Sequence, residues 1–256
     1  HAQRQARERN LRVLIFVVLH EAAAEAEGIC APLKQQIDTA SSGLIVSRGM
    51  SGLPGTAQKL ERLVYQCAVA FYSDEEKRLR KVWSPKPPHA AAQQVTAMTV
   101  RTHFKIGFLS ELKRDTRGAL MSYIKAYEVL THTPDVADVV ERVALCNFIS
   151  LRMYQRYLYS HDMQAAVHQC RIHTKTLRCC AEDTSQLAWL KWHWLSMNHQ
   201  VFAQLLEAQV QQMPAMFTKG DTWQFPGFHY QAAAVYAGQL KAWGRDAAAA
   251  GRLPEA

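Results

Sequence analysis

The stretch from position 100 to 130, "VRTHFKIGFLSELKRDTRGALMSYIKAYEVL", constrains the chain more than any other, because it carries two apolar helix faces joined by a polar Lys-Arg-Asp-Thr elbow. At a period near 3.6 the first half sets Val100, Phe104, Phe108 and Leu112 on one stripe, widened by Met98, Ile106 and Leu109. The second half gathers Ala119, Leu120, Tyr123, Ile124, Tyr127 and Leu130 on one face, with Arg117, Lys125 and Glu128 spread over the rest. Asp115 is placed as an N-cap between them: its carboxylate can accept from the unpaired amides of the following first turn and suits the positive end of the helix dipole. The segment therefore reads as an αα-hairpin. Gly107, inside the first helix, costs about 1 kcal/mol relative to alanine, which points to close approach by another helix.

The remaining sequence extends this pattern. Helices are expected at about Thr56 to Lys81, Ala92 to Lys113, Thr116 to His132, Pro134 to Tyr159, Met163 to Ala181, Ser185 to Met213 and Pro226 to Trp243. Thr133 before Pro134 and Asp183 or Thr184 before the longest helix supply start signals, and "WSPKPPH", Pro214 and "TKGDTWQFPG" supply breaks. Hairpins recur roughly every 40 to 50 residues, longer than the 34 of regular tetratricopeptide repeats. Ala119, Tyr123 and Ala126 nevertheless fit the small-aromatic-small spacing of such units. In the helix from Ser185, Leu187, Leu190, Trp194, Met197, Val201 and Leu205 form one stripe, and Ala188, Trp192, Leu195, Phe202 and Leu206 form its neighbour. Two adjacent stripes imply packing from two sides. Ahead of the helices, "RVLIFVV" and "GLIVS" read as buried parallel strands flanking a helical segment. The expected architecture is mainly α: an irregular α-solenoid of stacked, tetratricopeptide-like hairpins over residues 53–256. A small α/β remnant over residues 1–52 precedes it as the trailing edge of an upstream region.

With 256 residues, 48% hydrophobic and 20% charged, the chain can bury a real core and is not a disordered polymer. The net charge of +8 is compatible with an acidic partner but names none. Its basic residues gather at Arg4, Arg7, Arg9 and Arg12 and in "EEKRLRKV", where a solvated helix face is the plainer reading than a nucleic-acid patch. The cysteines Cys30, Cys67, Cys146, Cys170, Cys179 and Cys180 show no staple pattern, which favours a reducing compartment. No apolar run approaches the roughly 18 residues needed to span a bilayer. Arginines followed by "LRVLIFVVL" and "AAAEA" imitate a signal peptide, but the run also has the character of a buried strand.

Catalytic and metal-binding constellations fare poorly. In "HDMQAAVHQCRIHTKTLRCC", Cys170 and His173 share a helix face, but Cys179 lies about 13 Å further along at 1.5 Å per residue, whereas zinc ligands all lie within about 2.3 Å of the ion. His193 and His199 sit among tryptophans at helical spacing, which reads as core. Ser51 lacks the glycine that a nucleophile elbow requires, and Asp115, four residues after Glu111, is explained by capping. Nothing specifies an enzyme, and no cofactor is implied.

The opening stretch resembles the signature of the foie gras domain, found in subunit eleven of the TRAPP vesicle-tethering complex. The matching positions are Val100, Arg101, Phe104, Lys105, Ile106, Phe108, Ser110, Glu111, Leu112, Lys113, Asp115, Thr116, Ala119, Leu120, Tyr123, Ala126 and Tyr127. "LERLVYQCAVAFYSDEEKRLRKV" resembles the family's preceding helix, and "FPGFHYQAAAVYA", with Pro226, Gly227 and Tyr230, resembles a later block. Phe225 stands where that block has Asn, which removes an N-cap and leaves Asp221 or Thr222 to start the helix, and His229 stands where it has Tyr.

The resemblance implies a non-catalytic scaffold of a cytosolic tethering complex between endoplasmic reticulum and Golgi, with a role in autophagy through the TRAPP III form. It implies other TRAPP subunits as direct partners, with a Rab GTPase and Golgi or ER-derived membranes as indirect ones, and no direct nucleic acid. Glu111, Lys113 and Asp115 at the elbow become candidate contacts. Two readings compete: a helical-repeat nucleic-acid binder using Lys77, Arg78, Arg80, Lys81, Lys113, Arg114 and Arg117, and a peptide-binding repeat with an open groove lined from successive helices.

Overall fold

The computed structural model of the chain describes residues 13–19, 42–48, 53–83, 92–133, 138–181, 187–212 and 221–250. Strands β1 (Val13–Leu19) and β2 (Ser42–Arg48) pair in parallel, with Val13 opposite Ser42 and Leu19 opposite Arg48. Helices follow: α1 (Leu53–Trp83), α2 (Ala92–Leu112), α3 (Thr116–His132), α4 (Val139–Tyr159), α5 (Met163–Arg178), α6 (Ala188–Gln212) and α7 (Pro226–Ala249), with a 3-10 turn at Thr222–Gln224. The chain divides into two compact units, His1–Lys77 and Arg78–Ala256, the boundary falling within α1. The segment between the strands, the linker through residue 52, the proline-rich break after residue 83, the helix start at Pro134, the Asp183–Thr184 cap, Pro214, Cys30 and the first arginines lie outside the described residues.

The second unit is a stack of hairpins. Helix α2 packs on α3, α4 on α5 and α6 on α7, while α3 also packs on α4 and α5 on α6. Contacts skip along the stack as well. Phe104 of α2 meets Phe148 of α4 at 5.5 Å between ring centroids, and Tyr154 of α4 donates to Asn198 of α6 at 3.0 Å. Tyr127 of α3 reaches His173 of α5 at 2.9 Å. Helices α2, α4 and α6 thus form one layer and α3, α5 and α7 the other, the arrangement of an α-solenoid built from tetratricopeptide-like pairs.

Two elbows share one construction, displaced by 47 residues. Arg114 (φ 62°) and His161 (φ 60°) adopt the left-handed conformation that ends a helix, although neither is glycine. In the first elbow the amides of Arg114 and Asp115 bond the carbonyls of Glu111 and Ser110; in the second, those of His161 and Asp162 bond Leu158 and Tyr157. Asp115 then caps α3 by accepting from the Gly118 amide at 2.9 Å, and Asp162 caps α5 by accepting from Ala165 at 3.0 Å. The left-handed turn satisfies orphan carbonyls of one helix, and the aspartate satisfies orphan amides of the next.

The core runs between the layers. Val100, Ala119, Tyr123, Ala126, Leu130, Ile149 and Met153 join α2, α3 and α4, while Tyr154, Leu158, Ala166, Cys170, Phe202 and Leu206 join α4, α5 and α6. Gly107 is part of this packing: a Cβ there would stand 2.6 Å from the Tyr123 ring, which is itself fully buried. The face of α2 differs from the expected stripe. Thr102, Ile106 and Ser110 are buried with Val100, whereas Phe108 is 40% and Leu112 39% exposed. The reason is the closely packed backbone at Gly107, which turns the buried face toward Ile106 and leaves Phe108 at its margin.

Candidate interaction surface

At the first elbow the three polar candidates have different surroundings. Asp115 is exposed and its carboxylate is engaged in the cap. Glu111 points inward, its side chain only 9% exposed, and forms ion pairs with Arg152 at 3.5 Å and Arg156 at 3.8 Å, both on α4. One carboxylate thereby ties the end of α2 to α4. The Tyr123 hydroxyl is buried near it without a hydrogen-bond partner, and burial first, then the Glu111 charge, holds its ionisation well above the ordinary range. Lys113 is half-buried.

Other signature residues line the α2–α4–α6 layer. Arg101 is exposed, Phe104 is half-buried, and both border an apolar depression with Val100, Leu145, Phe148 and Glu141. Lys105 lies one turn on and is exposed. The Arg152 guanidinium stands 6.0 Å from the Phe108 ring and 5.6 Å from Phe148, a cation–π arrangement at the surface. Phe148 also borders a second depression, lined by Leu151, Tyr154, Trp194, Met197 and Val201. The two depressions adjoin at Phe148 and together make an apolar groove that runs across α2, α4 and α6, with Phe148 as their shared wall.

Helix α6 is packed from two sides, by α7 and by α4 and α5, as its two apolar stripes require. Ala188, Leu195, Phe202 and Leu206 are buried as the inner stripe requires, joined by Lys191, His199 and Ala203. The other stripe is partly covered: Trp194 packs against the cluster at Leu195 and Leu205 against that at Phe202, while Met197, 43% exposed, opens onto the groove beside Trp194 and Val201. Periodicity identified an apolar face, but it carries no information on what covers that face.

Sequence reasoning missed a buried polar chain behind the groove. Tyr154 donates to Asn198 Oδ1 at 3.0 Å, and Asn198 Nδ2 donates to Thr174 Oγ1 at 3.4 Å. Thr174 Oγ1 lies 3.4 Å from His199 Nε2, His199 Nδ1 lies 2.9 Å from His229 Nδ1, and His229 Nε2 lies 2.8 Å from the Trp223 carbonyl. A carbonyl only accepts, so His229 carries its proton on Nε2 and its Nδ1 accepts from His199 Nδ1–H. His199 Nε2 then accepts from Thr174. Each ring is neutral, and burial keeps both below the ordinary histidine range, His199 at about 4, where the neighbouring His229 and Arg178 add to the effect. His173 is separate: its Nε2 donates to Asn147 Oδ1 at 2.7 Å, Tyr127 bonds its Nδ1, and burial takes it down to about 3. Its core role shared no local signal, because its partners lie 26 and 46 residues away. His193, by contrast, is exposed.

Pro226, Gly227 and Tyr230 lie apart from the groove, on the first turns of α7. Phe225 occupies the N-cap position without a side-chain bond, while Asp221 caps the preceding 3-10 turn by accepting from Trp223 at 3.2 Å and pairs with Arg171. Gly227 has open space where a Cβ would stand, and Tyr230, 38% exposed, donates to Glu207 at 2.9 Å. The Cys146 and Cys170 thiols are pushed up to about 12 by burial. Among the described residues, no group of three or more His, Cys, Asp or Glu side chains is disposed to hold a metal ion, and no helix is long and apolar enough to cross a membrane.

The fold and this surface define the class: an α-solenoid of stacked hairpins with an open apolar groove on one layer. Over 217 residues, 82% of its length, the chain is similar to trafficking protein particle complex subunit 11, at 29% identity to the Gallus gallus protein and 28% to those of Bos taurus and Homo sapiens. The match spans 18% of the length of each of these relatives. No family model matches the chain.

Proposed function

We propose that the chain is a non-catalytic scaffold segment of a TRAPP-type vesicle-tethering complex, binding other TRAPP subunits in ER-to-Golgi trafficking and, in the TRAPP III form, in autophagy. It would hold its partners so that the assembled complex acts on a Rab GTPase, with the exchange chemistry elsewhere, at the cytoplasmic surface of Golgi and ER-derived membranes. The observation that carries this reading is the similarity to subunit 11 over 82% of the chain, which includes the signature residues of α2 and α3. The groove supports it physically, since helical repeats present long surfaces to other proteins. The nucleic-acid reading is weaker: Lys77 of its basic set pairs with Asp74, and Arg78, Arg80, Lys113 and Arg114 also have interaction partners. Affinity purification of the full-length protein tests the proposal. Stoichiometric core TRAPP subunits support it; their absence, with RNA or unrelated proteins recovered, overturns it.

A further inference from the structure

We propose that the groove across α2, α4 and α6 seats an amphipathic helix of a partner protein, apolar on its buried stripe and carrying Asp or Glu on its flank. The inference rests on the reading of the chain as an interaction scaffold and adds the chemistry of the bound element.

Shape and exposure come first. Two apolar depressions meet at Phe148, which is 46% exposed, with Leu145 at 38% on one side and Met197 at 43% on the other. These are large side chains aligned across successive helices, and covering them removes apolar surface from water.

Charge then selects the partner. Arg101 borders the first depression and Lys105 follows one helical turn later, so the two form a cationic strip along α2. Among the described residues neither has a hydrogen-bond or ion-pair partner. Arg152 adds a third cation above Phe108 and Phe148, shared with Glu111. Among the described residues, Glu141 is the one carboxylate that lines either depression. Carboxylates on the incoming helix would pair with the strip while its apolar stripe covers Phe148 and Met197.

The polar lining argues for a helix over an extended peptide. An extended chain needs partners for its backbone amides and carbonyls, whereas a helix satisfies its own. The groove offers few. Asn198 is engaged at both ends of its amide, by Tyr154 and Thr174, and Asn147 Oδ1 accepts from His173.

The test places photoreactive benzoyl-phenylalanine at position 148 of the full-length protein in the cells that make it, with a control at Val235 of α7, which is 57% exposed. Cross-linked segments are identified by mass spectrometry, and the segment found at position 148 is synthesised and titrated against the purified protein. The expected segment belongs to another protein, has apolar residues at helical spacing and flanking carboxylates, and gains helicity on binding. Its affinity should fall at least about tenfold with Phe148→Asp and about threefold to tenfold with Arg101→Glu plus Lys105→Glu, and should weaken with salt. Met197→Asp replaces Phe148→Asp if the latter does not fold. Adducts to lipid, to another part of the same chain or to a second copy overturn the inference, as does labelling at position 235 without labelling at 148. Recovery of TRAPP subunits without such a segment leaves the scaffold reading standing and removes this one. An acidic amphipathic segment from a protein outside any TRAPP complex does the reverse.

Discussion

The hairpins α2/α3 and α4/α5 have matching elbows and opposite centres. In the first, Gly107 of α2 leaves room for Tyr123 of α3. In the second, the positions 47 residues on are Tyr154 and Cys170, so the large side chain comes from the opposite helix and the small one receives it. Ala119 and Ala166, also equivalent, are both fully buried. Close packing conserves the volume between two helices without fixing which helix supplies it. The elbow has no such freedom, because its backbone bonds and aspartate cap must be made at fixed offsets. A second contrast is polar. The Tyr154 hydroxyl enters a hydrogen-bonded chain, whereas that of Tyr123 is buried without a hydrogen bond.

Acid separates the hairpins most strongly. His173, His199 and His229 are neutral in the folded protein, with ionisation held below the unfolded value near 6.5. Below that pH the unfolded chain binds protons at these sites and the folded chain does not. Stability present above pH 6.5 is therefore lost as pH falls toward 4, by up to about 1.4 kcal/mol per pH unit for each group. His103 of α2 is lowered too, by burial and then by the Lys125 and Arg80 charges, so acid acts on both hairpins but on one histidine there against three in α5, α6 and α7. Hydrogen exchange at pH 5 should show α5, α6 and α7 losing protection before α2 and α3; equal loss in both would break the contrast.

Filling the glycine is next in size. Gly107→Ala should cost about 1–3 kcal/mol in chemical denaturation, because the Tyr123 ring it meets is fully enclosed. A neutral result would show that the first hairpin is looser than its geometry implies. Removing hydroxyls gives a smaller and sharper comparison. Tyr154→Phe should cost about 1–2 kcal/mol by leaving Asn198 Oδ1 unpaired, while Tyr123→Phe should be within about 0.5 kcal/mol of wild type or stabilising. The smallest effects lie in the elbows. Arg114→Gly and His161→Gly should each stabilise by about 0.5–1 kcal/mol, since glycine relieves the left-handed backbone but loosens the unfolded chain. Thermal melts showing the same sign for both would confirm the elbows as equivalent.

Much of this architecture could be read from sequence, and the limits have physical causes. The cap at Asp115 was legible because it depends on an aspartate beside a helix start, a local relation. The close approach at Gly107 was legible because glycine is costly within a helix. The left-handed residues were not, since arginine and histidine carry no signal for that conformation. Phe104 and Phe108 read as one core stripe, yet only a neighbouring helix decides which of them is enclosed. The groove was hidden for the same reason: Met197 has the spacing of a buried residue and is 43% exposed, beside the partly buried Trp194.

The chain of bonds from Tyr154 to Trp223 permits one tautomer for each of its two histidines, His199 protonated on Nδ1 and His229 on Nε2. Imidazole nitrogens differ widely in magnetic resonance frequency with protonation, so selective nitrogen-15 labelling would give each ring two distinct lines. Those four lines constitute a built-in gauge. They would report whether α7 is seated on α6 without any mutation, ligand or loss of the native state.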